Sequence, residues 1–151
     1  MSDAKSSFIY VIYIRTTPEK LWAALTTPET VRQCWFGASF DTDWKAGSKW
    51  KLAFADGRVA DSGTILEIDP PKRMVLEWQN QWSPELNAEG VARCTYAIEA
   101  VDGGAVKLTI LHEINKPGSK FIEAVSGGWP RILSNVKSML ETGDVVMKAK
   151  N

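Results

Sequence analysis

The sequence contains one histidine, His112, and two cysteines, Cys34 and Cys94. Imidazole is the side chain whose ordinary pKa lies near neutrality, so acid–base chemistry at pH 7 points first to His112. Tyr96 or a carboxylate such as Asp61 could polarise a carbonyl beside it. A Cys94–His112 pair would look like an activated nucleophile. The opposing reading is a core histidine beside an inert thiol: no third orienting group is evident, and an apolar surrounding raises a thiol's pKa. No catalytic residue is therefore assigned, and His112 is the only candidate. There is no CxxC and no Cys/His cluster, so no metal site is expected. Neither GxxxxGKS/T nor GxGxxG occurs, so no nucleotide cofactor is expected, nor any other.

Indole is as abundant as imidazole is scarce. Trp occurs 7 times, at Trp22, Trp35, Trp44, Trp50, Trp78, Trp82 and Trp129, where ordinary composition would give roughly two. Lys+Arg and Asp+Glu balance at 18 each. That balance argues against nucleic acid or an anionic membrane as the main partner, since both need a basic surplus. The chain of 151 residues is one domain's worth, with 44% hydrophobic and 24% charged residues, and is long enough to bury a core without disulfides or metal. The longest strongly apolar run, Phe8–Ile14, is too short to span a bilayer. With two free thiols and no apolar leader in MSDAKSSF, the expected location is cytoplasmic.

Periodicity supplies the elements that must position these groups. Phe8–Arg15 is β-branched and aromatic and reads as a strand. Thr17-Pro18-Glu19 and Thr27-Pro28-Glu29 each carry the signals of a helix start. They predict short helices over Pro18–Leu25 and from Pro28 towards Phe36, the second ended by Gly37. Strands are predicted over Phe40–Trp44, Lys49–Ala55, Arg58–Ile68, Arg73–Trp82, Ala92–Val101 and Ala105–Ile114, with a polar loop at Ser83–Gly90. Phe121, Val125, Trp129, Ile132, Val136 and Met139 recur at helical spacing, so a long amphipathic helix closes the order near Gly143. Pro130, inside it, should kink it.

Each strand has one apolar and one polar face, the mark of an antiparallel sheet covered on one side. A two-residue hairpin at Asp56-Gly57 places Trp50 opposite Gly63. A four-residue turn at Asp69–Lys72 places the same Gly63 opposite Trp78. The missing side chain would make room for two indoles. This register also sets Asp61 on the inner face opposite Leu52, as an edge residue or a buried acid. A three-residue loop at Asp102–Gly104 pairs Cys94 with His112 and Tyr96 with Ile110. Tryptophans and a few polar groups thus share one concave face, which fits a small-molecule pocket or a filled aromatic core.

Several motifs together resemble a known family. They include Thr17-Pro18-Glu19-Lys20-Leu21-Trp22, Trp35-Phe36-Gly37, Asp43-Trp44-Lys45-Ala46-Gly47, Ile68-Asp69-Pro70-Pro71-Lys72 and Gly128-Trp129-Pro130-Arg131. The chain is similar to the START/Bet v-like (SRPBCC) superfamily, in its single-domain branch resembling the C-terminal domain of the activator of heat shock protein 90 ATPase. The resemblance covers residues 8–143, leaving 1–7 and 144–151 as tails. It implies an α+β helix-grip fold, with a curved antiparallel sheet of about six to seven strands around the C-terminal helix. It also implies a cavity between sheet and helix. The first function this suggests is non-catalytic binding of a hydrophobic or aromatic small molecule. The lining expected for it is Trp35, Phe36, Trp50, Phe54, Trp78, Tyr96, His112, Phe121, Val125 and Trp129. A cyclase- or hydrolase-like enzyme using His112 is the second reading. The third is a chaperone-associated interaction module, with Trp44 and Ser83–Gly90 as its exposed candidates. Either a monomer or a homodimer is compatible, since Phe8–Arg15 is long enough to pair between chains at a sheet edge.

Overall fold

Val, Ile, Tyr and Phe fill Ser6–Ile14, and this segment is strand β1, its side chains alternating between two faces. Thr17 then caps α1 (Pro18–Thr26) by accepting the Lys20 N–H at 3.2 Å. Thr27 holds the cap position of α2 (Pro28–Cys34), but its hydroxyl makes no capping bond. The remaining elements are β2 (Ala38–Asp41), β3 (Lys49–Phe54), β4 (Val59–Asp69), β5 (Arg73–Asn80), α3 (Pro84–Asn87), β6 (Ala92–Val101), β7 (Ala105–Ile114) and α4 (Lys120–Thr142). The strands form one antiparallel sheet of order β1-β7-β6-β5-β4-β3-β2, and α4 covers its inner face. This is the expected α+β helix-grip layout. The computed structural model describes residues 5–148.

Most element ends shift from expectation by one or two residues, and the larger departures have local reasons. Strand β2 stops before Trp44, whose φ of 58° is left-handed and cannot continue a strand. Strand β5 stops at Asn80 because its side-chain Oδ1 accepts the backbone N–H groups of Trp82 (3.0 Å) and Ser83 (2.7 Å). Trp82 therefore leaves the inner face and is 57% exposed. The loop after it folds one helical turn, α3, capped by Ser83.

Two turns also differ, in a way that preserves the register. The β3–β4 hairpin has a three-residue loop, since Phe54 N–H bonds the Arg58 carbonyl at 2.9 Å and Ala53 pairs with Val59. Ala60 is then an extra residue, and this bulge returns Trp50 to Gly63 and Leu52 to Asp61. The β4–β5 turn is likewise shifted by one, with Asp69 paired to Arg73, and a second bulge at Leu66 restores Ile65 to Leu76. Between the pairs Ser62–Gln79 and Ile65–Leu76, Gly63 stands level with Trp78. The β6–β7 hairpin pairs Cys94 with His112 and Tyr96 with Ile110, as expected.

Gly63 is the tightest point of the sheet. A Cβ there would lie 1.8 Å from the Glu77 carbonyl oxygen and 2.9 Å from Trp50 Nε1. The free space is used by Trp50, whose indole N–H donates to that carbonyl at 3.0 Å. Trp50 and Trp78 meet above it with ring centroids 4.7 Å apart.

Helix α4 is tied down near both ends. The Glu89 carboxylate accepts from Ser119 Oγ (2.5 Å), Lys120 N (3.0 Å) and Phe121 N (3.3 Å), where the helix dipole favours negative charge. Near the C-terminus, Lys137 Nζ donates to the Tyr13 carbonyl, and Glu141 accepts the Arg15 N–H at 2.8 Å. Asn135, fully buried, donates to the carbonyls of Cys34 and Met147 and accepts the Met147 N–H. It thereby fixes the segment after α4 against α2.

Gly63→Ala should lower stability by more than about 3 kcal/mol, because backbone rather than a flexible side chain must move. Urea denaturation measures this. A loss below about 1 kcal/mol would contradict the steric account.

Candidate functional site

Where α4 crosses the sheet, a cavity of about 270 Å³ remains, lined by Trp35, Phe36, Ala38, Leu52, Phe54, Ala60, Asp61, Trp78, Val125, Trp129 and Ile132. Its buried floor is Trp35, Ala38, Leu52, Trp78 and Trp129, while Phe36, Phe54, Val125 and Ile132 are only partly covered and form its rim. Helix α2 and strand β2 bring Trp35, Phe36 and Ala38. Strands β3 to β5 bring Leu52, Phe54, Asp61 and Trp78, and α4 brings Val125, Trp129 and Ile132. The aromatic floor is rigid because its rings brace one another. Trp35 stacks on Trp78 at 6.1 Å and meets Trp129 edge-on at 5.3 Å.

Of the ten residues expected at the site, six are in this wall: Trp35, Phe36, Phe54, Trp78, Val125 and Trp129. Trp50, Tyr96, His112 and Phe121 are not. They are buried behind it, Trp50 against Trp78 and Tyr96 against Trp129 at 5.6 Å. The inner-face pattern finds both groups because it reports which face a side chain takes, not how deep it lies. Phe36 carries a signal invisible in the pattern. Its φ of 54° is left-handed, a conformation that disfavours a non-glycine residue by about 1–2 kcal/mol. Its ring is held at the rim, with the Arg131 guanidinium 5.5 Å from its centroid.

His112 is enclosed by Trp78, Phe121 and Trp129 and has no exposed surface. The Trp129 indole N–H can only donate, and it lies 3.1 Å from His112 Nδ1, so the ring proton sits on Nε2. Nε2 has no partner. Burial lowers the pKa of this histidine to about 3, so it is neutral at physiological pH. Burial also pushes the Cys34 thiol up to about 11 and raises that of Cys94 well above its ordinary value. Cys94 is level with His112 in the ladder, yet its thiol stays protonated. The arrangement makes this histidine a fixed acceptor joining α4 to β7.

Asp61 is the ionisable residue of the cavity wall. Burial raises its pKa from an ordinary 3.8 to about 6, while the nearby Trp78 indole N–H and the Asn80 amide hold the rise back. Asn80 Nδ2 lies 3.4 Å from Asp61 Oδ1. Trp78 Nε1 approaches the carboxylate without reaching good hydrogen-bond geometry. Of the two positions open in the sequence, Asp61 takes neither fully: it is half-buried in the cavity wall, on the interior strand β4.

The opposite face of the sheet carries a larger, open groove of about 990 Å³, with Asp41, Lys49, Lys51, Ser62, Thr64, Glu77 and Gln79 in its wall. Most of these are outward members of β3, β4 and β5, Asp41 ends β2, and Trp50 and Gly63 also border the groove. Among the described residues no group of three His, Cys, Asp or Glu side chains converges to hold a metal ion. No helix among them is long and apolar enough to cross a membrane.

A sequence profile of the activator of Hsp90 ATPase homolog 1-like proteins matches residues 15–141. This chain belongs to that family. Solved structures share its fold. A Mesorhizobium loti protein is similar at a TM-score of 0.77 and 20% identity, over 93% of this chain and 100% of that one. An HSP90 activator of Plasmodium falciparum is similar at 0.72 and 25% identity, over 89% and 96%. The Aha1 dimer of Colwellia psychrerythraea is similar at 0.71 and 19% identity, over 91% and 98%. A search among curated protein sequences found no significant match. Family membership accounts for the SRPBCC ligand-binding architecture seen here and specifies no ligand.

The Asp61 shift predicts a pH dependence of stability. Its folded pKa lies above its unfolded value, so the folded state binds the proton more tightly. Stability should therefore rise as pH falls from about 7 to 4 for this group. Asp61→Asn should stabilise the fold at about pH 8 by roughly 1–3 kcal/mol, allowing for partial screening, and the gain should fade below about pH 6. Urea denaturation across this range checks the sign. A destabilised Asn variant at pH 8 would contradict it.

Proposed function

We propose that this protein binds an apolar or aromatic small molecule, without catalysis, in the cavity between the sheet and α4. The observation that carries the reading is the wall itself: five aromatic side chains and one acid around about 270 Å³, open at a partly exposed rim. The volume is near the lower end of small-molecule sites, which run from about 300 to 1,000 Å³. Phe36 supports it, since backbone strain concentrates where structure serves binding. So does His112, which is spent on holding Trp129 and does not line the cavity.

The family match favours a second reading, contact with a chaperone of the Hsp90 type. The polar outer groove offers a surface for it that is separate from the cavity. Adding the protein to an Hsp90 should then raise its ATPase rate, and Lys49→Glu with Lys51→Glu should weaken the effect. An unchanged rate at saturating protein removes this reading and leaves cavity binding untouched.

For the cavity, 3-propylindole is a suitable neutral probe. Its binding should register as heat in calorimetric titration and raise Tm, by about 5–10 °C at a hundredfold excess over Kd. Val125→Trp should fill the space and abolish both effects while leaving Tm of the free protein within a few degrees. Equal binding by wild type and Val125→Trp would place the ligand elsewhere.

A further inference from the structure

Asp61 has an environment that its own fold does not complete. Its carboxylate receives one long hydrogen bond from Asn80. That amide cannot turn to offer more, because Asn80 Oδ1 is held by the N–H groups of Trp82 and Ser83. Among the described residues no lysine or arginine pairs with Asp61, and no charged group contributes to its titration. The elements around it explain this. From β3 the facing residue is Leu52, while Lys49 and Lys51 line the outer groove. From β5 the neighbours are Trp78 and Asn80. Arg58, on the β3–β4 hairpin, stacks over Phe54 and Trp82 at 5.0 and 5.2 Å and pairs with Asp56 at 2.7 Å. Arg131 of α4 stacks over Phe36. Both cations are thus already engaged with aromatic faces at the rim.

An acid without a cation, in a wall that is otherwise aromatic and apolar, is the complement of one class of ligand. Aromatic faces attract a cation through their quadrupole, and a carboxylate pairs with it at short range. We propose that the cavity selects an organic ammonium ion, with its N–H donors on the Asp61 carboxylate and its apolar body between Trp35, Trp78 and Trp129. This rests on the reading that the cavity binds a small molecule, and it names what that molecule carries. A bound cation supplies the counter-charge that the fold leaves out, and so lowers the pKa of Asp61 in the complex. A carboxylate-bearing ligand of the same shape is repelled.

The test is calorimetric titration of the full chain with three indoles of matched size: tryptamine (cationic), 3-propylindole (neutral) and indole-3-propionate (anionic). At about pH 7.5, tryptamine should bind roughly tenfold tighter than 3-propylindole, and indole-3-propionate more weakly than either. Asp61→Asn, which keeps the side chain's shape, should remove the preference for tryptamine over 3-propylindole. Tryptamine affinity should fall as pH is lowered through about 6, whereas that of 3-propylindole should not. If 3-propylindole binds and Val125→Trp blocks it, but tryptamine binds no tighter or its advantage survives in Asp61→Asn, the ammonium proposal is overturned and cavity binding stands. If none of the three binds, both are overturned.

Discussion

Trp50 donates its indole N–H to the carbonyl of Glu77, on the far side of β4, across a position that has no side chain. Any Cβ at Gly63 would occupy the path of that bond. The contact draws β3 and β5 together over β4 and brings Trp50 against Trp78. Trp78 in turn carries Trp35 and Trp129, and these three rings are the floor of the cavity. The shape of the site is therefore set by one glycine and one side-chain-to-backbone hydrogen bond outside its wall.

Helix α4 completes the enclosure and is held in an uneven way. Glu89 grips its start, Lys137 and Glu141 tie its last turns to the end of β1, and Trp129 is bonded to His112. Between the start and Trp129 lie Gly127 and Gly128, and a Cβ at either would touch nothing. Packing does not require them, and each weakens a helix interior by about 1 kcal/mol relative to alanine. Pro130 follows and cannot donate a helical hydrogen bond. The helix is thus intrinsically weakest beside the cavity and strongest where it is anchored. The strained Phe36 stands across the same opening.

Much of this was legible from residue order. Alternation along the strands and the three-and-four spacing in α4 predict the layers, because they state which face each side chain must take. The pairing of Trp50, Gly63 and Trp78 is also predicted, although both turn lengths behind it differ from expectation. Bulges at Ala60 and Leu66 absorb the difference, since a slip of one would turn the buried face outward. Depth was not legible. Trp50, Tyr96, His112 and Phe121 share the inner face with the cavity wall but lie behind it, and only packing decides that. Asn135 carried no advance signal, because a lone polar residue on a helix looks like a surface residue until its partners, Cys34 and Met147, are in place. Asp61 could be put on the inner face by register, but its isolation from cations depends on Arg58 and Arg131 being stacked elsewhere.

The 7 tryptophans provide the most direct measurement, because each indole N–H gives its own nitrogen–proton NMR signal. Titration with 3-propylindole should shift the signals of Trp35, Trp78 and Trp129, which form the cavity floor. Those of Trp22, Trp44 and Trp82, which lie outside the wall, should stay in place. Shifts confined to the outer tryptophans, or none at saturation, would contradict a binding cavity beneath α4.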